Sequence, residues 1–326
     1  MMVVDCHNHV YPPEYIAAIE KGPSAYKLAY DREGNPILHS PGDYNIAVPG
    51  HRLMDVREKI IKEAGVDKQI ISLTCPGTIL ETPERAVELA RLVNDAFAKI
   101  QKERGDHFIP LATLPLNAPA ASIVELERAV RTLGLRGATV FSNVNGVALS
   151  DKRFWPMYEK ANELNLTFFM HPTFPVGVEA QLEYMLMPLV GFLADTTLAA
   201  AGLVFSGVAE RFPRIKWVLG HLGGAVPYLA ERFDRGFEAY PECQKHINRK
   251  PSEYLKSNFY YDTVNFDLKA LQFAIDFAGV DHLVAGSDYP HQIGSMEKMV
   301  SSIKELAISS VDKERILSGN ALGLLI

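Results

Sequence analysis

The chain has 326 residues, of which 48% are hydrophobic and 22% are charged. This composition excludes a disordered polyelectrolyte and a small disulfide scaffold, so we expect a globular protein with a large core. The net charge of -6, from 33 basic and 39 acidic residues, argues against a nucleic-acid-binding surface.

Targeting and redox features predict a cytoplasmic protein. The amino-terminal MMVVDCHNHV has no basic region, and no later stretch reaches the roughly 20 uncharged apolar residues of a membrane helix. The cysteines Cys6, Cys75 and Cys243 are too few and too scattered for a disulfide framework. We therefore expect neither secretion nor membrane insertion.

Short apolar runs bounded by turn residues predict eight β-strands. Most runs are continuously apolar rather than alternating, which is typical of parallel strands covered on both faces. The predicted strands are Val3–His7, Gln69–Thr74, Ile109–Leu114, Gly137–Phe141, Leu166–His171, Ile215–His221, Phe259–Thr263 and His282–Asp288.

Segments with helical periodicity separate most of these strands and follow the last one. They are Pro83–Arg104, Pro119–Leu133, Lys152–Asn165, Leu186–Arg211, Ala225–Tyr240, Leu268–Ala278, Ser295–Ala307 and Val311–Leu317. This alternation allows a (β/α)8 barrel or an open doubly wound sheet. Because the first strand-to-helix turn lacks a glycine-rich phosphate cradle and no P-loop motif occurs, we predict the barrel.

The sequence predicts one domain over residues 1–326, with a long insertion at residues 11–65. No internal repeat or composition break marks a second domain. Residues 22–49 of the insertion are rich in Gly, Pro, Asp and Tyr. Long segments of this kind are functional lids or surface excursions, and the sequence leaves both possibilities open.

Ionisable side chains occur where predicted strands end. His7 ends the first strand with His9 two residues on, and His171, His221 and Asp288 end the fifth, sixth and eighth. In a barrel these strand ends converge on one mouth, where active sites form. Three imidazoles and a carboxylate suit Zn²⁺ with an open position for substrate. A histidine outside such a set is more often an ordinary core or surface residue, and we interpret the others in that way: His39, His51, His107, His246, His282 and His291.

The chain resembles the amidohydrolase superfamily, and within it the aminocarboxymuconate-semialdehyde decarboxylase family, also called amidohydrolase family 2. The similarity spans almost the whole chain and rests on these motifs: Asp5-Cys6-His7-Asn8-His9, His171-Pro172, Gly220-His221-Leu222-Gly223-Gly224, Gly286-Ser287-Asp288-Tyr289-Pro290 and Ile316-Leu317-Ser318-Gly319-Asn320-Ala321. The resemblance implies a distorted (β/α)8 barrel with one divalent metal, usually zinc. It assigns four metal ligands and one catalytic histidine: His7, His9, His171 and Asp288, with His221.

The family contains nonoxidative decarboxylases of aromatic or unsaturated carboxylic acids and hydrolases of lactones or amides. We predict decarboxylation of a small carboxylic acid, with hydrolysis, in which Asp288 would shuttle the proton, as the alternative. A non-catalytic metal-binding module is the third hypothesis; the wide separation of the ligands in sequence argues against it.

Substrate-binding residues and a homodimer also follow from the resemblance. It implies that Arg232 binds the substrate carboxylate across a dimer interface. The family's second arginine, in the first loop, has no clear counterpart, and the candidates for its role are Arg52, Arg57 and His51. Phe174, three residues past His171, is a candidate for lining an aromatic substrate pocket.

Overall fold

A computed structural model of the chain describes residues 1–40 and 42–325. The strands, numbered in chain order, are β1 Val4–Asp5, β2 Leu28–Tyr30, β3 Pro36–Ser40, β4 Asp43–Ile46, β5 Lys68–Ile71, β6 Phe108–Pro110, β7 Ala112–Thr113, β8 Ala138–Phe141, β9 Asn143–Val144, β10 Val147–Ala148, β11 Thr167–His171, β12 Lys216–Leu219, β13 Phe259–Asp262 and β14 Leu283–Val284.

The α-helices are numbered in the same way. They are α1 Pro13–Lys21, α2 Pro49–Arg52, α3 Met54–Glu63, α4 Pro83–Arg104, α5 Pro119–Arg131, α6 Trp155–Glu163, α7 Phe192–Phe205, α8 Val208–Arg211, α9 Val226–Ala239, α10 Pro251–Leu255, α11 Leu268–Ala278, α12 Met296–Glu305, α13 Ser310–Glu314 and α14 Asn320–Gly323.

The predicted strands form a closed parallel barrel. Their order around the barrel is β1, β5, β6 with its continuation β7, β8, β11, β12, β13 and β14. The ring closes beside β1 and β14, where the Cys6 N–H donates to the Ala285 carbonyl at 2.8 Å. The predicted (β/α)8 barrel is confirmed, and every strand is shorter than predicted.

The third barrel strand is split in two, where the sequence predicted one run. Pro110 has no N–H to continue the ladder, and the chain then changes partners. The Leu111 N–H donates to Ile71 on one neighbouring strand at 2.9 Å, whereas the Ala112 N–H donates to Gly137 on the other side at 2.8 Å. The break lets this strand join two halves of the barrel.

The long apolar segment predicted as one helix is interrupted twice. A π-helical turn at Met187–Gly191 precedes α7, and Gly207, with φ of 84°, separates α7 from α8. Met187–Phe205 is long and apolar enough, by length and composition alone, to cross a membrane, but half of it is buried inside the protein. Within it, the buried Asp195 accepts a hydrogen bond from Asn143 at 2.8 Å. These contacts are those of a helix packed on the barrel.

The insertion at residues 11–65 is built from defined elements. It contains α1, the antiparallel sheet β2–β3–β4, α2 and α3. Tyr26 donates its hydroxyl to the Pro76 carbonyl at 3.0 Å, and the Ala25 N–H donates to Glu81 at 2.9 Å. These bonds attach the insertion to the loop after β5, so that β4 lies over the barrel mouth.

Apolar side chains fill the barrel interior. One buried cluster takes a residue from most of the barrel strands or their immediate flanks and is completed by the C-terminal segment: Val4, Cys6, Ile70, Leu111, Phe169, Val218, Val284, Ala321 and Leu324. Since this packing occupies the barrel interior, the polar strand ends are confined to the C-terminal mouth, as is usual for the fold.

Candidate metal centre and active site

Four polar side chains from three barrel strands meet at the mouth. His7 and His9 follow β1, His171 ends β11, and Asp288 follows β14. One ligand atom from each residue lies within 4.8 Å of those of the other three, and all four residues are buried. The structure therefore brings together the side chains that the sequence predicted to meet.

Hydrogen bonds fix the orientation of two of the imidazoles. The Nδ1 of His171 donates to the Pro172 carbonyl at 2.7 Å, and the Nδ1 of His7 donates to the carboxylate of Asp262. A carbonyl or carboxylate can only accept, so each of these bonds places the ring proton on Nδ1. In the neutral form of each imidazole, Nε2 then carries the lone pair that can bind an ion.

The donor set fits a divalent cation. The Nε2 atoms of His7 and His171 are buried and have no hydrogen-bond partner among the described residues. Oδ1 of Asp288 lies 3.1 Å from Nε2 of His9 and 3.3 Å from Nε2 of His7. Orphaned buried nitrogens are costly, and a cation among them would satisfy all four groups.

Electrostatics in the cluster also favour a cation. Burial, reinforced by the neighbouring imidazoles, holds the pKa of His9 and His171 well below the usual histidine range. Burial would raise the pKa of Asp288, but its histidine partners hold that pKa well below the usual range. Burial also opposes protonation of His7, yet the Asp262 carboxylate raises the pKa of His7 to about 10. A cation that binds here must therefore displace a proton from His7.

Asp262 is a functional residue that sequence analysis missed. It ends β13, is fully buried, and accepts hydrogen bonds from His7 and from the backbone N–H groups of His221 at 3.0 Å, Leu222 at 2.8 Å and Val264 at 3.0 Å. Its position at a strand end was a readable signal, because the other strand-end ionisable residues were identified in that way. Through these bonds Asp262 positions both His7, a proposed metal ligand, and the turn that carries His221.

His221 lies beside the four-residue cluster on a strained turn. Its Nε2 is 3.7 Å from Oδ2 of Asp288, and its Nδ1 is buried without a hydrogen-bond partner in the described part of the chain. His221 and Leu222 have φ of 55° and 56°, a conformation that costs a non-glycine residue roughly 1–3 kcal/mol. The two N–H bonds to Asp262 hold this turn. Gly223, with φ of 73°, is required there because a Cβ would lie 2.5 Å from the ring of Tyr261.

A cavity of ≈ 430 Å³ lies over this cluster. Its floor includes His171, His221 and Asp288. Its walls come from β4 of the insertion, the turn before α7 and the loop after Asp288, with contributions from Asp43, Asn45, Ile46, Met185, Leu189, Phe192, His291 and Ile293. A volume of this size, with an apolar wall and convergent polar groups, suits one small organic molecule.

Comparison with known proteins gives the family. The Amidohydrolase family model, Amidohydro_2, matches residues 4–325. The chain belongs to this amidohydrolase family. A relative named 2-amino-3-carboxymuconate-6-semialdehyde decarboxylase, from Dictyostelium discoideum, is 36% identical over 83% of this chain and 76% of its own length.

Solved structures of other amidohydrolase relatives have the same fold. Crystalline 5-carboxyvanillate decarboxylase from Sphingomonas paucimobilis matches with a TM-score of 0.86 and 26% identity, over 99% of this chain and 98% of that one. A dihydroxybenzoic acid decarboxylase from Polaromonas sp., which holds manganese and 2-nitroresorcinol, matches with a TM-score of 0.81 and 25% identity, over 99% and 96%. The chain is therefore a carboxy-lyase of the amidohydrolase family with a site for one divalent metal.

Two of the amidohydrolase's predicted substrate contacts lie away from the cavity. Phe174 is half-buried and is not among the residues that line this cavity in the described chain, and its contact with substrate stays a prediction. Phe192 supplies an aromatic wall instead, with its ring 5.9 Å from that of His171. Arg232 is exposed on α9 and does not line the cavity of its own chain. A direct contact with substrate would require another copy of the amidohydrolase.

The two arginines considered for the first-loop role are both engaged elsewhere. Arg57 is fully buried and donates to the carbonyls of His9 and Gly50 and to the side chains of Asn8 and Gln69, at 2.7 to 2.9 Å. Arg52 donates to the Ala47 carbonyl at 2.6 Å and to Asn35 at 3.1 Å. These bonds hold the insertion in place, and neither arginine is among the cavity-lining residues of the described chain.

Two histidines outside the predicted ligand set, of which His51 was also a candidate for the first-loop role, line the cavity. His51 of α2 is 1% exposed, and His291 lies with its ring 4.5 Å from that of His9. Neither residue ends a barrel strand, so the strand-end rule that identified the other histidines does not apply to them. Their position depends on how the insertion and the loop after Asp288 pack over the mouth of the amidohydrolase barrel.

Replacing Asp262 with Asn should weaken metal binding by roughly 10–100-fold, because the variant loses the carboxylate that orients His7. The measurement is a metal titration of the purified variant against the wild type. Asp267→Asn is a matched control, since Asp267 is an exposed residue that only caps α11. Unchanged metal affinity in the Asp262 variant would show that His7 needs no such support.

Proposed function

We propose that this enzyme decarboxylates a small planar carboxylic acid, that His7, His9, His171 and Asp288 hold its metal ion, and that His221 delivers the proton. The observation that carries the proposal is the convergence of buried, partnerless nitrogens with a carboxylate at the floor of a cavity, with His221 alongside. The family's decarboxylases support the reaction class.

The proposed chemistry assigns separate roles to the two oxygens of Asp288. Oδ1 faces His7 and His9 and acts as a ligand, whereas Oδ2 faces His221 and orients its ring. A bound divalent ion supplies Lewis-acid stabilisation of negative charge on substrate oxygens. His221 donates a proton to the carbon that bears the carboxylate. The bond between that carbon and the carboxylate then breaks, its electron pair restores the double bond of the substrate as CO₂ leaves, and solvent reprotonates His221.

We propose zinc as the metal and the cytoplasm as the location. Three imidazole nitrogens and one carboxylate are a ligand set that zinc accepts readily, although the Polaromonas relative holds manganese. The three cysteines are free, which suits a reducing compartment. Elemental analysis of protein that has never been exposed to chelator tests the metal.

A substrate panel tests the reaction. The metal-loaded enzyme is incubated with aromatic and unsaturated carboxylic acids, and CO₂ release and loss of ultraviolet absorbance are followed. We expect CO₂ from at least one acid. If no acid releases CO₂ while a lactone or amide is opened, the same site is a hydrolase; if neither reaction occurs in the loaded protein, the non-catalytic hypothesis takes its place.

We also propose that the enzyme is a homodimer in which Arg232 reaches the partner's cavity. Large apolar side chains are exposed on the turn before α7, on α7 itself and on α9: Leu189, Val190, Leu198 and Tyr228. An exposed apolar surface of this kind marks an interaction site, and two-fold homo-oligomers are common.

Arg232→Ala should raise the KM for the acid by about 10–100-fold, because losing one charge-assisted hydrogen bond weakens binding by about that factor. The metal content should stay the same. Arg235→Ala, three residues along the same exposed helix, is the matched control and should leave KM unchanged. Light scattering checks the assembly. A 36.2 kDa species at micromolar concentration would exclude an arginine shared between chains.

A further inference from the structure

His51 is a buried polar side chain that the proposed mechanism does not use. It lies in α2 of the insertion, and only 1% of its surface is exposed. Both ring nitrogens are buried and have no hydrogen-bond partner among the described residues. A buried polar atom without a partner destabilises the folded protein, so an imidazole with two such atoms is expected to serve a ligand.

The position of His51 connects it to the metal centre. It lines the same cavity as His171, His221 and Asp288. Its ring lies 5.6 Å from that of His291, and the ring of His291 lies 4.5 Å from that of His9. The His291 ring is thus a neighbour of both His9 and His51. A molecule that occupies this cavity with its carboxylate at the four-residue cluster can therefore reach His51 with another substituent.

The neighbouring groups determine what His51 can bind. Burial, followed by His291 and the nearby arginines, holds the pKa of His51 well below the usual histidine range, so the ring is neutral and offers one N–H donor and one acceptor nitrogen. Arg57 and Arg52 contribute positive potential, and both donate hydrogen bonds to oxygens of the protein itself. A substrate oxygen at this position would therefore meet the imidazole N–H in a positive field.

From this geometry we infer that His51, with His291 beside it, forms a second subsite that binds an oxygen substituent of the substrate, distinct from the carboxylate that is lost. The inference rests on the proposed function and narrows its substrate class to acids with a further hydroxyl or carboxylate. His51 is then a specificity-determining residue. A site built to hydrogen-bond an oxygen rejects the analogue that lacks it, because its own polar atoms are left unpaired.

The test compares ligands that do and do not carry the second oxygen. Binding of benzoate, the three hydroxybenzoates and the three benzenedicarboxylates to the metal-loaded enzyme is measured by calorimetry. In the wild type we expect at least one oxygen-bearing probe to bind 10-fold or more tightly than benzoate. Whether a hydroxybenzoate or a benzenedicarboxylate shows this advantage identifies the substituent as a hydroxyl or a carboxylate.

Variants then assign the advantage to His51. His51→Leu should remove at least 10-fold of the oxygen preference while benzoate affinity stays within 2-fold. His51→Gln, which keeps a side-chain donor, should retain part of the oxygen preference. It replaces His51→Leu as the test variant if the leucine variant folds poorly. His39→Leu, an exposed histidine of the same insertion, should behave as the wild type.

Several results would overturn the inference: no oxygen-bearing probe preferred by the wild type, a full preference in His51→Leu, or an equal loss for benzoate and the substituted acids. The outcome is distinguishable from failure of the proposed function. If no acid releases CO₂ but His51 still determines which probe binds, the decarboxylase proposal fails and the subsite stands. If CO₂ is released and His51 has no influence on which probe binds, the decarboxylase proposal stands and the subsite inference fails.

Discussion

Alanine at His171 or Asp288 is expected to yield folded protein that lacks the metal ion and has no activity. His171 would contribute its partnerless Nε2, and Asp288 contacts the other ligands through Oδ1. Loss of one of four ligands should weaken binding more than the 10–100-fold typical of a lost outer-shell partner. The barrel core is apolar and lies below the site, so the fold at 25 °C should persist.

Metal content by elemental analysis, with circular dichroism for the fold, measures this result. His246→Ala is a suitable control because His246 is exposed and does not line the cavity. The thermal midpoint of either ligand variant should fall to that of the metal-free wild type, since a bound ion stabilises only the folded state. Full metal occupancy in the His171 or the Asp288 variant would refute the ligand assignment.

Removing the His221 imidazole should lower the decarboxylation rate by on the order of 10²–10⁴ while most of the metal is retained. The side chain lies beside the four ligand groups, and its Nε2 approaches Oδ2 of Asp288 at 3.7 Å rather than the Oδ1 that faces His7 and His9. The loss should appear in kcat more than in KM, because proton transfer occurs in the transition state.

The choice of replacement matters at this position. His221 has φ of 55°, a left-handed conformation in which asparagine is accepted more readily than alanine. His221→Asn therefore separates loss of the proton donor from backbone strain, and His221→Ala is measured beside it. A rate near that of the wild type in both variants, or a variant that loses metal and recovers full activity on reconstitution, would contradict the acid role.

The linear sequence was sufficient to predict the barrel and the core of the site. Continuous apolar runs alternate with helical periodicity, and this pattern follows from strands buried on both faces. His7, His9, His171, His221 and Asp288 were found because each lies at or just past a predicted strand end, and parallel strand ends in a barrel meet at one mouth. These positions therefore follow from the local sequence pattern and from the convergence of parallel strand ends in a barrel.

A strand-end position does not by itself show what a side chain contacts. Asp262 ends β13, but its partner His7 is 255 residues away in the chain, and nothing near Asp262 in sequence records that contact. Arg57 was a plausible substrate-binding group until its buried hydrogen bonds to the backbone of His9 and Gly50 were seen. Burial and partners, rather than residue type, decide whether a charged side chain is structural or faces a ligand.

The shape of the cavity was decided by tertiary packing alone. His51, His291 and Phe192 lie in the insertion, in a loop and in a helix, where no barrel rule governs the direction of a side chain. Their convergence depends on how the insertion and the turn before α7 pack over the mouth. The sequence therefore determined the barrel and the polar side chains at its strand ends. The walls that select a substrate depend on side-chain contacts between segments that local sequence does not relate.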